Sequence, residues 1–260
     1  MSSEDILSKP QPPPDDRVAY GADPNQFLEV RLPPVKGLHP VLLNIHGGFW
    51  RAKYGLAYAG HLCEALRASG IATFNLEYRR VGNPGGGWPG TFDDIRSAYR
   101  FIQQERSRFH LDVDRLVVMG HSAGGQLALC LGAHESSLRR VISLAGLVDL
   151  RKAFALHLSH DAVAEFLGGT PDAVPEHYHE ADPAELAIPQ ARQWLIHGKV
   201  DDTVPPDFSR DYVSSRKKKK TGESAELLEI PDAGHYELID PGSEAFKQVS
   251  GTVLLAVGNK

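Results

Sequence analysis

Cysteine is almost absent from this chain, with only Cys63 and Cys130 among its 260 residues. Both sit in apolar, helix-like stretches, and neither belongs to a metal-knuckle spacing. The sequence therefore predicts no disulfide framework. Long hydrophobic runs are also missing, so no membrane span is expected. The opening MSSEDILSKP lacks a basic segment followed by an apolar one. No secretory leader is expected, and a cytoplasmic location is the default. An excess of basic charge is missing too: 28 Lys and Arg stand against 33 Asp and Glu, a net charge of −5. Such a chain does not as a whole attract phosphate backbones or anionic lipid, so neither nucleic acid nor a membrane is an expected partner. What remains is an ordinary globular balance, 42% hydrophobic and 23% charged. That is enough apolar matter to core one large domain.

Residues 1–16 are polar and carry Pro10, Pro12, Pro13 and Pro14. That composition predicts a flexible or surface-draped arm before a single folded unit spanning 17–260. The unit opens on the strand-like alternation Phe27–Leu32. Short β-prone runs then recur at Val41–Ile45, Ile71–Leu76, Leu116–Met119, Val141–Leu144, Trp194–Ile196 and Ala225–Ile230. Helix-like segments separate or follow them at Leu56–Ala68, Phe92–Glu105, Gln126–Ala133, Asp207–Lys219 and Ser243–Val257. This rhythm predicts an α/β fold with a mostly parallel sheet of about eight strands and helices on both faces. Near-continuous apolarity of the runs fits strands covered on both sides. The stretch 147–188 breaks the rhythm with helix-like pieces and no strand. A connection that long usually has a function, and an active-site cap is the expectation. The lysine run Lys217–Lys220 is read as a solvated helix end.

Gly120-His121-Ser122-Ala123-Gly124-Gly125 follows the run Leu116–Met119 and precedes Gln126-Leu127-Ala128-Leu129. A strand, a tight turn and a helix are the context in which G-x-S-x-G exposes a nucleophilic serine. Gly120 and Gly124 supply the lack of bulk that so sharp a turn demands. His46-Gly47-Gly48-Phe49-Trp50 follows the strand Val41–Ile45. Acyl transfer through a serine builds charge on the carbonyl oxygen, which preorganised N–H donors must meet. The expected donors lie at Gly48–Phe49 and at Ala123, the residue after the nucleophile. A serine also needs a base, and the base an orienting acid. Asp201 and Asp202 follow the run Trp194–Ile196, and His235 follows Ala225–Ile230, in the order serine, acid, histidine. Asp201 is preferred because the turn begun by His197-Gly198 should aim it inward and Asp202 outward. His46 and His197 are expected to bond within their own turns. His121 is expected to shape the elbow or the pocket wall. A metal site at Glu176-His177-Tyr178-His179-Glu180 is disfavoured, since alternate spacing suits a strand and this region reads as helix and loop.

Together these motifs resemble the α/β-hydrolase esterases. The resemblance runs from about Tyr20 to the C-terminus. It is strongest to a small branch near hormone-sensitive-lipase-like esterases, acetyl-xylan and feruloyl esterases and kynurenine formamidases. Tyr78-Arg79-Arg80 with Gly85-Gly86-Gly87-Trp88-Pro89 fits the segment after strand four in such esterases. Phe49 stands where the lipase-like pattern has a third glycine, a form more like formamidases and small esterases. The resemblance implies a serine carboxylesterase with the triad Ser122, Asp201 and His235, acting on a small-molecule ester. It implies no cofactor and no metal. Phe49, Trp50, Trp88 and His121 are expected at the substrate pocket, with 147–188 as lid. Two other functions stay open: an arylformamidase, and a catalytically inactive hydrolase homologue that binds a ligand. A homodimer is compatible with the sequence.

Overall fold

A computed structural model describes residues 5–219 and 222–258, with the side chains of Lys218 and Lys219 excepted. In chain order the elements are α1 (Asp5–Ser8), β1 (Asp16–Ala19), β2 (Phe27–Arg31), β3 (His39–Ile45), α2 (Gly60–Ala68), β4 (Ala72–Glu77), α3 (Gly90–Gln104), β5 (Leu111–His121), α4 (Ala123–His134) and β6 (Arg140–Leu144). Then come α5 (Leu150–Ala155), α6 (Ala162–Leu167), α7 (Pro175–Ala181), β7 (Arg192–Gly198), α8 (Asp207–Lys219), β8 (Ala225–Ile230) and α9 (Glu244–Ala256). The eight strands form one sheet in the order β1-β2-β4-β3-β5-β6-β7-β8. The pairs β1–β2 and β2–β4 are antiparallel, and every other pair is parallel. This is the expected α/β architecture. The sequence reading missed β1, a four-residue edge strand in which only Val18 is buried.

Alternation along each strand divides the core into two layers, because successive side chains point to opposite faces. Val41, Leu43 and Ile45 of β3 join Leu116 and Val118 of β5 in one cluster with residues of α3, α4 and α8. Leu42, Val117 and Met119 join the other, with Leu62, Cys63 and Leu66 of α2 and Phe246, Val249 and Val253 of α9. Both faces are therefore covered, which is why the central strands read as continuous apolar runs. The 147–188 stretch supplies α5, α6 and α7, whose Leu150, Val163, Phe166 and Tyr178 join the first layer.

The N-terminal arm is more firmly attached than its composition suggests. Ile6 of α1 is only 2% exposed and packs in the second layer. Farther along, the Pro10 carbonyl lies 2.9 Å from His61 Nε2, the Pro12 carbonyl accepts from Arg31 Nη2 at 2.7 Å, and Asp15 accepts from the Leu32 amide at 2.7 Å. Prolines remove donors but leave carbonyls to be bonded, so a proline-rich segment can still be pinned along a surface. Residues 1–4 of the arm lie outside the described residues. Of the lysine run, Lys217 stands exposed in the last turn of α8, and Lys220 lies outside the described residues. No described helix is long and apolar enough to cross a membrane.

Candidate active site

In an open parallel sheet, the loops at the carboxyl ends of strands meet where the strand order reverses. Here the chain leaves β3 toward β4 on one side, and leaves β5 toward β6 on the other. The loops after β3, β5, β7 and β8 carry His46–Trp50, Ser122, Asp201 and His235.

The turn after β5 is sharp. Ser122 has φ 57° and ψ −119°. A non-glycine residue there costs on the order of 1–3 kcal/mol, a strain that clusters at functional sites. Surroundings enforce it. A Cβ on Gly120 would overlap the Gly124 carbonyl, and one on Gly124 would overlap the carbonyl of Ile45. The Ser122 amide donates to Leu144 at 2.8 Å, tying the elbow to β6. Ser122 occupies the N-cap position of α4, where serine commonly folds back onto the helix amides. It makes no such capping bond. Among the described residues no hydrogen bond engages the Ala123 amide at this helix start.

The loop after β3 is clamped one peptide unit at a time. Tyr78 Oη donates to the His46 carbonyl at 2.8 Å, and the Gly47 amide donates to Tyr58 Oη. Both ring nitrogens of His46 face acceptors, Nδ1 the Gly47 carbonyl at 2.7 Å and Nε2 the Glu77 carboxylate at 2.9 Å. A trans peptide sends its N–H opposite to its carbonyl. Fixing the Gly47 carbonyl therefore fixes the Gly48 amide. Gly48, Phe49 and Trp50 then run through φ 104°, 50° and 56°. A Cβ on Gly48 would overlap Tyr54. Among the described residues no hydrogen bond engages the amides of Gly48 and Phe49. Gly47 packs directly against Ser122 and the His121 carbonyl, which brings this loop beside the elbow.

His235 Nδ1 lies 2.7 Å from Asp201 Oδ2. The other oxygen, Oδ1, accepts from the amides of Thr203 at 2.9 Å and Val204 at 2.8 Å. His197 Nε2 lies 3.3 Å from Oδ2 and 2.9 Å from the Val204 carbonyl. Burial alone would raise the Asp201 carboxyl, but hydrogen bonds from His197, His235 and Val204 outweigh it. The group is held well below the usual carboxylate range. Asp202, the rejected neighbour, is exposed and accepts from the Thr203 hydroxyl at 3.3 Å. His121 donates from Nε2 to the His235 carbonyl at 3.0 Å, with the two rings 4.5 Å apart. Burial, and then the neighbouring His235, lower its pKa to about 3, so the ring is neutral at ordinary pH.

Ser122 and His235 open together on a cavity of about 50 Å³, whose walls include Gly48, Phe49, His121, Tyr54 and Tyr58. The family model BD-FAE matches residues 28–215 of this sequence. The chain belongs to the BD-FAE family. Esterase LipC of Mycobacterium tuberculosis is 29% identical over 254 residues, covering 86% of this chain and 60% of LipC. A probable isoprenylcysteine alpha-carbonyl methylesterase of Arabidopsis thaliana, ICMEL2, is 23% identical, covering 85% of this chain and 57% of that protein. The BD-FAE chain thus spans about 60% of the length of these relatives. A truncated carbohydrate esterase from gut microbiota has the same fold, with a TM-score of 0.80 at 19% identity, covering 96% of this chain and 99% of that one. The fold is that of the α/β hydrolases.

Two expected pocket residues of this BD-FAE chain lie elsewhere. Trp50 is fully buried, stacked on Phe166 at 4.5 Å, and donates from Nε1 to Gln126 Oε1 at 3.0 Å. Trp88 is partly buried, stacks on Phe92 at 5.2 Å, and meets Phe166 edge-on. Both tryptophans anchor the α5–α7 insertion to the body of the fold. No residue of 147–188, the expected lid, lines this cavity. With α5–α7 packed beside the α4 layer, the wall is closed from elsewhere, by Leu7 of the arm together with Tyr54, Tyr58, Thr203 and Tyr236. Only Tyr236 and Thr203 could have been suspected from sequence, as neighbours of His235 and Asp201. His177 and His179 go to the Leu167 carbonyl and to Glu185, at 2.7 and 3.1 Å.

Proposed function

We propose that this chain is a serine carboxylesterase acting on small carboxylic esters. The observation that carries the proposal is the alignment on one cavity of a strained, uncapped Ser122, an Asp201-bonded His235 and the Gly48–Phe49 stretch with its unengaged amides, the unengaged amide of Ala123 following Ser122 directly. Ser122 Oγ attacks the acyl carbon while His235 Nε2 takes its proton. Asp201 fixes the His235 tautomer and stabilises the imidazolium that forms. The amides of Gly48 or Phe49 and of Ala123 receive the oxyanion, each such donor contributing about 3–4 kcal/mol. His235 then protonates the departing alcohol, and water releases the acid from the acyl-enzyme. The curated relatives LipC and ICMEL2 are named an esterase and a methylesterase, which supports the ester over the amide. Cys63 and Cys130 are buried, unpaired thiols, which suits a reducing cytoplasmic compartment.

Turnover of p-nitrophenyl acetate and of N-formylkynurenine by the purified protein tests the proposal. Rapid ester cleavage with no detectable formamide cleavage is the expected result. Formamide cleavage faster than ester cleavage would make the protein an arylformamidase instead.

A further inference from the structure

The cavity over Ser122 is closed partly by a residue far from it in sequence and outside every catalytic loop. Leu7 sits in α1 of the N-terminal arm, and its side chain lines the cavity together with Ser122, His235, Tyr54 and Tyr58. It is 38% exposed, so it forms a rim of the opening rather than part of the core.

The segment that carries Leu7 is fixed at several points. Ile6, the preceding residue, is plugged into the layer that also holds Tyr58, Ala59 and Leu62. Gln11 fits against Gly60 so closely that a Cβ there would overlap its side chain, and Gln11 Nε2 reaches Glu29 at 3.4 Å. The Pro12 carbonyl is bonded to Arg31, a guanidinium wholly buried beside Glu29 and Glu64. Among the described residues, Nε and Nη1 of Arg31 have no hydrogen-bond partner. Withdrawing the arm would take the Pro12 acceptor from this buried cation, and a buried donor left without its hydrogen bond costs about 1–3 kcal/mol or more. Leu7 is therefore held over the cavity as a standing wall.

We propose that Leu7 is a specificity-determining residue that sets the size limit on the ester substituents the site admits. The proposal rests on the esterase reading above. At about 50 Å³ the cavity is far smaller than the roughly 300–1,000 Å³ of drug-sized ligand pockets, so one side chain at its rim decides what fits. One extra or missing methylene in an apolar pocket changes selectivity by about 10–200-fold.

The test compares wild type, Leu7→Ala, Leu7→Trp and the distant surface control Leu255→Ala, all as the full chain. Two series are measured: p-nitrophenyl esters from acetate to octanoate, and acetates of alcohols from methyl to naphthyl. The readout is the ratio of kcat/KM for the largest substrate to that for the smallest. Leu7→Ala should raise the ratio at least about tenfold in one series, and Leu7→Trp should lower it there. Leu255→Ala should leave both ratios at their wild-type values. Ratios unchanged within about twofold in both series for both Leu7 variants would overturn the proposal while the esterase reading stood. Wild-type protein that cleaves no ester and takes up no fluorophosphonate would overturn both.

Discussion

Replacing His121 should flatten the acid side of the stability profile. The ring is buried between the Ser122 turn and His235, and burial lowers its pKa from 6.5 to about 3. The sign follows from proton counting. Between those two values the unfolded chain binds a proton that the folded chain does not, so stability falls as pH falls. The contribution is fully present above about pH 6.5 and declines by about 1.4 kcal/mol for each pH unit below it. From pH 7 to pH 5 the loss traceable to His121 is therefore about 2 kcal/mol. The assay is urea unfolding of wild type and His121→Gln at both pH values. The amide of glutamine does not titrate and can still donate to the His235 carbonyl. Groups distant from position 121 contribute alike in the two proteins, so the difference of differences reports His121 together with its contact to His235. A variant that loses as much stability as wild type between pH 7 and pH 5 would refute the buried neutral ring.

Three other outcomes follow from the same structure. Asp201→Asn should lower kcat on an aryl ester by about 10⁴-fold through the wrong His235 tautomer, whereas Asp202→Asn should stay close to wild type. Equal effects in the two variants would contradict the 2.7 Å Asp201–His235 contact as the functional one. Trp50→Ala should cost about 3–5 kcal/mol in urea melts, because it empties a core site and takes from Gln126 Oε1 its donor. A Trp50→Ala protein of wild-type stability but altered substrate preference would return Trp50 to the pocket. The size selectivity of the Leu7 variants is the third.

The parts of this molecule written locally were legible in its sequence. Strands covered on both faces appear as apolar runs, which is why Val41–Ile45 and Leu116–Met119 stood out. The elbow was legible because a turn at φ 57° demands Gly120 and Gly124 at fixed offsets. Asp201 could be separated from Asp202 because a tight turn after His197-Gly198 sends consecutive side chains in opposite directions. What stayed hidden depends on partners distant in sequence. Trp50 reads as a pocket residue beside Gly47-Gly48, but its location is decided by Phe166, more than a hundred residues later. Edge strand β1 has a single buried side chain, too little pattern to read. Leu7 sits in a polar, proline-rich segment whose composition argued against any fixed position. Its burial contact comes from Ile6 fitting against α2, which no local periodicity announces.

The central claim is that Ser122 is the acylated nucleophile, and it can be tested in one comparison. Wild type and Ser122→Ala are assayed on p-nitrophenyl acetate and treated with a fluorophosphonate, with intact mass as the second readout. The account predicts that the variant loses on the order of 10⁴-fold or more in kcat and takes up no label, while wild type gains one phosphonyl group. A Ser122→Ala protein that still hydrolyses the ester at the wild-type rate, or still takes up the label, would contradict it.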